Sequence, residues 1–168
     1  MCIRDRNKVD NNYNIKKQIK VKDTLKFLTQ SSKIYRENLN TKVIAITGSC
    51  GKTTLKELLG NSLKGLSKVS VSPKSYNNKY GVPLSLFNLD QKDQYGVLEL
   101  GMDKKGEIDH LSEIVKPDVS VITNINYAHA KNFKNIKHIA LAKSEIINNT
   151  KVNGFIILNA DDLSLIHI

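Results

Sequence analysis

Apolar residues in this chain gather into short runs, and amphipathic stretches with helical spacing lie between them. The runs at 42–47, 69–71, 95–100, 119–123 and 154–159 are rich in valine, isoleucine and leucine, as strands buried on both faces are. A helical pattern follows the first run to about Leu63. Another covers 106–115, with Leu111, Ile114 and Val115 facing inward, and a third covers 136–148, with Ile139, Ala140, Ala142, Ile146 and Ile147 on one side. Residues 84–89 read as a short helix or turn, and 72–83 as a long loop of turn formers. Upstream, a helix capped by Asp23 reaches Tyr35, 36–41 is a polar linker, and 7–21 is an irregular lysine-rich segment. Strands that alternate with helices predict an α/β fold: a doubly wound, mainly parallel sheet that binds ligands at the carboxyl ends of its strands.

The junction of the first strand and its helix carries the clearest chemistry. It reads Thr47-Gly48-Ser49-Cys50-Gly51-Lys52-Thr53-Thr54. Strand, glycine turn, Gly-Lys-Thr and helix is the order of a phosphate-binding loop, whose backbone N–H groups and helix dipole attract phosphate oxygens. Gly48, Ser49, Cys50, Gly51, Lys52, Thr53 and Thr54 are therefore the candidate nucleotide-binding residues. Lys52 supplies a point charge to the terminal phosphates, and the Thr53 hydroxyl is a ligand for Mg²⁺. The spacing is shorter than the strict motif, which would place a glycine where Ile46 stands. The plainer alternative is a glycine turn beside a surface lysine, but the surrounding strand and helix favour a nucleoside triphosphate with Mg²⁺.

Charge and cysteine content narrow the picture further. The net charge is +10, yet the lysines are scattered among asparagines and aromatic residues make up only 6%. No base-stacking motif or arginine stripe supports a nucleic-acid partner, and the composition is that of an AT-rich coding sequence. The two cysteines, Cys2 and Cys50, form no disulfide framework, no run approaches membrane-spanning length, and a cytoplasmic setting is expected. Residues 1–6 resemble the translation of a transposase sequencing adapter, and 163–168 its reverse complement, so both are set apart from the expected fold.

Further candidates sit at strand ends. Glu99 closes an apolar strand, where a lone acid is costly unless it is paired, bonded to backbone amides or bound to a metal; next to a phosphate loop, Mg²⁺ is the favoured partner. His129 follows the fourth strand, as a metal or phosphate ligand or as a surface residue. His110 and His138 read as helix-surface residues. By spacing alone Lys143 is a solvated lysine beside Glu145, and Asn77 and Asn78 are turn residues.

Taken together, these stretches resemble one family. The phosphate loop with Lys56-Glu57, Asn77-Asn78-x-x-Gly81-Val82-Pro83, Glu99-Leu100-Gly101 with Gly106-Glu107-Ile108, Thr123-Asn124-Ile125 with His129, Ala142-Lys143-x-Glu145 and Asn159-Ala160-Asp161-Asp162 are similar to the Mur ligases of bacterial cell-wall synthesis. The likeness covers nearly all of 41–162, with a weaker one at 21–28, and implies the central ATP-binding domain, with 7–40 as the tail of a preceding domain and a linker. Asn126 and Tyr127 depart from the family's usual loop. Within the family, the resemblance implies a carboxylate–amine ligase that joins D-alanyl-D-alanine to UDP-N-acetylmuramoyl tripeptide through an acyl phosphate. A monomer that needs neither membrane nor nucleic acid is expected, and the fragment alone is expected to be inactive. The resemblance assigns Lys52, Lys143 and His129 to catalysis, and Thr53, Glu99, His129 and a carbamylated Lys143 to Mg²⁺. It assigns Asn77 and Asn78 to the muramoyl substrate. The alternatives are another Mur ligase, a folylpolyglutamate synthetase-like enzyme or a stand-alone nucleotide-binding module.

Overall fold

The computed structural model describes residues 14, 16, 18–127 and 132–166. Five strands, β1 (Lys42–Thr47), β2 (Val69–Val71), β3 (Tyr95–Glu99), β4 (Val119–Ile122) and β5 (Phe155–Leu158), form one sheet in the order β2-β3-β1-β4-β5. Every pairing is parallel. The helices are α1 (Thr24–Glu37), α2 (Lys52–Lys64), α3 (Gly81–Phe87), α4 (Glu107–Val115), α5 (Ile136–Ser144) and the short α6 (Leu163–Ile166). The chain winds from β1 to one sheet edge and then from β4 to the other, so the winding reverses beside β1. Such a switch point opens a crevice at the carboxyl ends of the strands.

Alternate strand residues serve two cores. Ile46, Val97 and Val121 face α2 and pack with its Leu55, Leu59 and Leu63. Val43, Ala45, Leu98 and Ile122 face the opposite layer, where Leu86 of α3, Ile108 and Leu111 of α4 and Ile139 of α5 are buried. Each of these valines, leucines and isoleucines contributes about 2 kcal/mol on leaving water, so packing on both faces holds β1 rigidly at the centre.

Three local differences from the sequence expectation have clear causes. Asp23 does cap α1, accepting from the Lys26 N–H at 2.9 Å, but the helix runs on through Arg36 and Glu37. Arg36 is buried there, donating to the carbonyls of Val115 (2.8 Å), Lys116 (3.2 Å) and Leu39 (3.3 Å) and to Asp118 Oδ2 (3.2 Å). Asp118 Oδ2 also accepts the Val43 N–H at 2.8 Å, so this ion pair ties α1 to the start of β1. Helix α3 begins at Gly81, because Asn78 Oδ1 accepts the N–H groups of Tyr80 and Gly81, both at 3.0 Å. Pro83 then falls in the first turn, where its missing N–H costs nothing. The helix expected over 136–148 stops at Ser144 and tightens into a 3₁₀ turn, Glu145–Asn149. There the Glu145 carboxylate turns onto the N-terminus of α4, accepting from Gly106 (2.9 and 3.0 Å) and Asp109 (3.2 Å).

Residues 163–166 form α6, and Leu165 joins the core. Burial lowers the pKa of Arg36, and the Asp118 carboxylate offsets part of that desolvation. Arg36→Met leaves three carbonyls without this donor and Asp118 with only the Val43 N–H and Lys151. Equilibrium urea unfolding should show a loss of about 3 kcal/mol, the usual cost of removing one partner of a buried pair.

Candidate nucleotide-binding site

The first-strand loop turns at the end of β1 with two left-handed glycines, Gly48 at φ 146° and Gly51 at φ 79°. A side chain at Gly48 would collide with Thr123 Oγ1 at the end of β4. That close approach lets the β4 end lace the loop in place. Ser49 N–H donates to the Asn124 carbonyl at 3.0 Å, and Cys50 N–H donates to Asn124 Oδ1 at 3.0 Å. Thr123 Oγ1 donates to the Cys50 carbonyl at 2.6 Å, and Ser49 Oγ and the Asn126 backbone exchange two bonds of 2.8 and 3.0 Å. Asp162 Oδ2 accepts the Ile125 N–H at 2.6 Å and steadies the same segment.

Two lysines converge on this turn. Lys52 Nζ donates to the Gly48 carbonyl at 2.9 Å, and Lys143 Nζ, arriving from α5, reaches the same oxygen at 3.0 Å. Lys143 is buried, not solvated as its spacing alone suggests, because the Ile139–Ala142 face carries α5 inward. Burial, with a smaller push from Lys52, brings its ammonium from 10.5 down to about 8. Two cations held by one carbonyl, with no carboxylate bonded to either among the described residues, make a hollow suited to a polyanion.

Glu99, at the end of β3, is 2% exposed. Its Oε2 accepts from Thr53 Oγ1 at 2.8 Å, and its Oε1 accepts from Asn77 Nδ2 at 2.8 Å. Among the described residues, both partners of this carboxylate are side chains and neither is a backbone amide. One buried carboxylate beside one hydroxyl is a hard-oxygen pair, and it fits Mg²⁺, which keeps most of its shell for water and phosphate. No cluster of three acidic, histidine or cysteine ligands occurs among the described residues. His129 lies outside the described residues. Asn77 thus reaches the carboxylate, while the Asn78 side chain is spent on capping α3. A cleft of about 620 Å³ extends from Lys52 and Lys143 past Asn77 and Asn78 to Lys105 and His110.

Several participants were given no role in the sequence reading, although Thr123, Asn124 and Glu145 stand in stretches that carry the family likeness. Thr123 and Asn124 brace the loop, and Glu145 anchors the turn after Lys143. His110, expected on a plain helix surface, is exposed but lines the cleft. His138 is exposed and lies outside it.

Comparison with known proteins identifies the family. The Mur ligase middle domain matches residues 46–167. UDP-N-acetylmuramoyl-tripeptide–D-alanyl-D-alanine ligase of Bacillus subtilis is 42% identical over 144 residues, which is 86% of this chain and 32% of that protein. The ligase of the same name from Buchnera aphidicola is 40% identical over 84% of this chain and 31% of its own length. The chain therefore spans about a third of the length of the curated relatives it matches. Among solved structures, MurF from Acinetobacter baumannii superposes with a TM-score of 0.83 at 43% identity, covering 87% of this chain and 32% of that one. MurF from Thermotoga maritima in complex with ADP gives 0.82 at 35% identity, over 89% of this chain and 35% of that one. Escherichia coli FolC, at 19% identity and a TM-score of 0.56 over 77% of this chain and 40% of that one, shares the fold alone. With the phosphate loop, the buried acid and the inward lysine in place, this chain belongs to the Mur ligase family and carries its middle domain.

Proposed function

We propose that this chain is the ATP-binding domain of a ligase that joins D-alanyl-D-alanine to UDP-N-acetylmuramoyl tripeptide. The observation that carries the reading is the meeting of Lys52 and Lys143 at the Gly48 carbonyl, beside the Thr53–Glu99 pair. ATP phosphates would draw both ammonium groups off that oxygen and take its place as their acceptor. The ADP complex of the Thermotoga relative supports nucleotide use by this fold. A cytoplasmic, monomeric enzyme goes with the reading, and among the described residues no helix is long and apolar enough to cross a membrane.

In this reading a substrate carboxylate oxygen attacks the γ-phosphorus of ATP, the bond to the β-phosphate oxygen breaks, and ADP leaves. The amine of D-alanyl-D-alanine then attacks the acyl phosphate carbon. The tetrahedral adduct expels inorganic phosphate, the nitrogen gives up its proton, and a peptide bond remains. Lys52 and the loop amides neutralise charge gathering on the transferred phosphoryl group, in a geometry fixed before reaction. Thr53 and Glu99 would hold Mg²⁺, which would supply positive charge beside the phosphates. His129 and a carbamylated Lys143 are proposed to support a second ion. Asn78, at the rim of the cleft, is proposed to meet the muramoyl peptide.

The full-length protein should release phosphate from ATP only when UDP-N-acetylmuramoyl tripeptide and D-alanyl-D-alanine are both present. Lys52→Ala should slow that release by about 10²–10³-fold, the scale of losing one charge-stabilising donor. Release with a different amine, or with no amine at all, would reject the assignment.

Lys143 gives a second test. Because its pKa is lowered to about 8, the neutral amine accumulates as pH rises through 8, not near 10.5. Only the neutral amine attacks CO₂, forming an N–C bond and losing a proton to leave an anionic carbamate. Under ¹³C-bicarbonate, the carbamate NMR signal should rise with a midpoint near that pKa of about 8. Lys143→Gln should lack it. A midpoint at the ordinary lysine value, or a signal that survives the substitution, would count against the proposal.

A further inference from the structure

Lys56 is a fully buried cation to which the chemistry above gives no task. It stands on α2 three residues beyond Thr53, on the same side of the helix. Its ammonium donates to the Ser72 carbonyl at 2.8 Å and to the carbonyl of Lys74. Glu57 Oε1 lies 3.2 Å away, on a carboxylate that is largely in solvent. Removing an ammonium group from water is expensive unless its protons meet acceptors. A methionine would fill the same volume without that cost, so packing alone does not account for the charge.

What Lys56 grips is a strained turn. Lys74 is left-handed at φ 45°, a conformation that non-glycine residues hold only when their surroundings enforce it. The buried Ser72 hydroxyl two residues before it has no partner among the described residues. Directly after this turn come Asn77 and Asn78. Asn77 donates to Glu99, and its carbonyl accepts the Gly101 N–H at 2.7 Å. Asn78 caps α3. The loop is therefore fastened at its start by Lys56, in its middle to the end of β3, and at its far end to a helix.

We propose that Lys56 is a positioning residue: its ammonium clamps the 72–74 turn to the phosphate-loop helix and thereby sets where Asn77 and Asn78 stand relative to the nucleotide. Thr53 and Lys56 share one rigid helix, so the nucleotide site and the acceptor-substrate loop are referenced to a common element. This rests on the ligase reading for its substrate, though the clamp itself does not.

The test uses the full-length protein with Lys56→Gln, which keeps a polar group but loses the charge and the reach, and with Lys56→Met, which keeps an apolar stem of similar volume but loses the donors. Amide hydrogen exchange at Asn77, Val82 and Gly101 should speed by about tenfold in both, while β1 and β4 amides keep wild-type rates. KM for UDP-N-acetylmuramoyl tripeptide should rise by about tenfold, with KM for ATP moving less than about twofold. Unchanged exchange in the loop overturns the proposal. So does equal loosening of β1 and β4, or a parallel rise of both KM values, because Lys56 would then serve general stability. Loss of ATP binding in both variants has the same meaning. If the wild-type protein ignores the muramoyl substrate, the ligase reading falls, and the exchange data still decide the clamp.

Discussion

The Gly48 carbonyl is the point on which this molecule turns. It sits where β1 ends, in a backbone conformation close to glycine's own territory, pressed against Thr123 of the neighbouring strand. Two ammonium groups from helices on opposite faces of the sheet meet there. Burial does most to lower the pKa of Lys143, and repulsion from the neighbouring Lys52 adds to it. A bound polyanion would relieve that repulsion. On the proposed function, the electrostatic cost carried by the free site would favour phosphate binding.

That arrangement needs both layers of the fold. Helix α2 brings Lys52 and Thr53 from one face, and α5 brings Lys143 from the other. Each helix is held by apolar residues with no chemical role, Leu55, Leu59 and Leu63 on one side and Ile139 on the other. The polar fastenings then fix angles that apolar packing leaves loose. Glu145 locks the turn after Lys143 onto α4, and Asn124 holds the loop through its side chain and its backbone. Packing supplies the stability and hydrogen bonds supply the aim.

The central strands β1, β3 and β4 were legible because a parallel sheet buried on both faces writes itself as apolar runs. The run at 154–159 also forms a strand, but as an edge whose Phe155, Ile156 and Ile157 are exposed, against the expected burial on both faces. β1 and β2 match their expected limits, and β3, β4 and β5 differ only at their ends. The phosphate loop was legible for a different reason: its glycines and lysine answer a local geometric demand within eight residues. Long-range fastenings leave no such trace. Arg36 looked like part of a polar linker because its four acceptors lie at Leu39, Val115, Lys116 and Asp118, most of them far along the chain. Helix α5 looked longer than it is because periodicity is blind to Glu145's distant partners at Gly106 and Asp109.

Lys143 and Asn77 mark the boundary between these two kinds of information. Spacing put Lys143 on a solvated face, and only the family likeness argued otherwise; the structure places it inward because α5 buries the side that carries Ala142 and Lys143. Asn77 read as an ordinary turn residue, yet it completes a chain of contacts from Thr53 through Glu99 to the 72–78 loop. In both cases the side chain is polar, and its partner is a polar group from another element. Hydrophobic patterning reports which side of an element is dry. It does not report which polar residue has been carried into the dry side with its partner, and those residues are the ones on which the proposed chemistry depends.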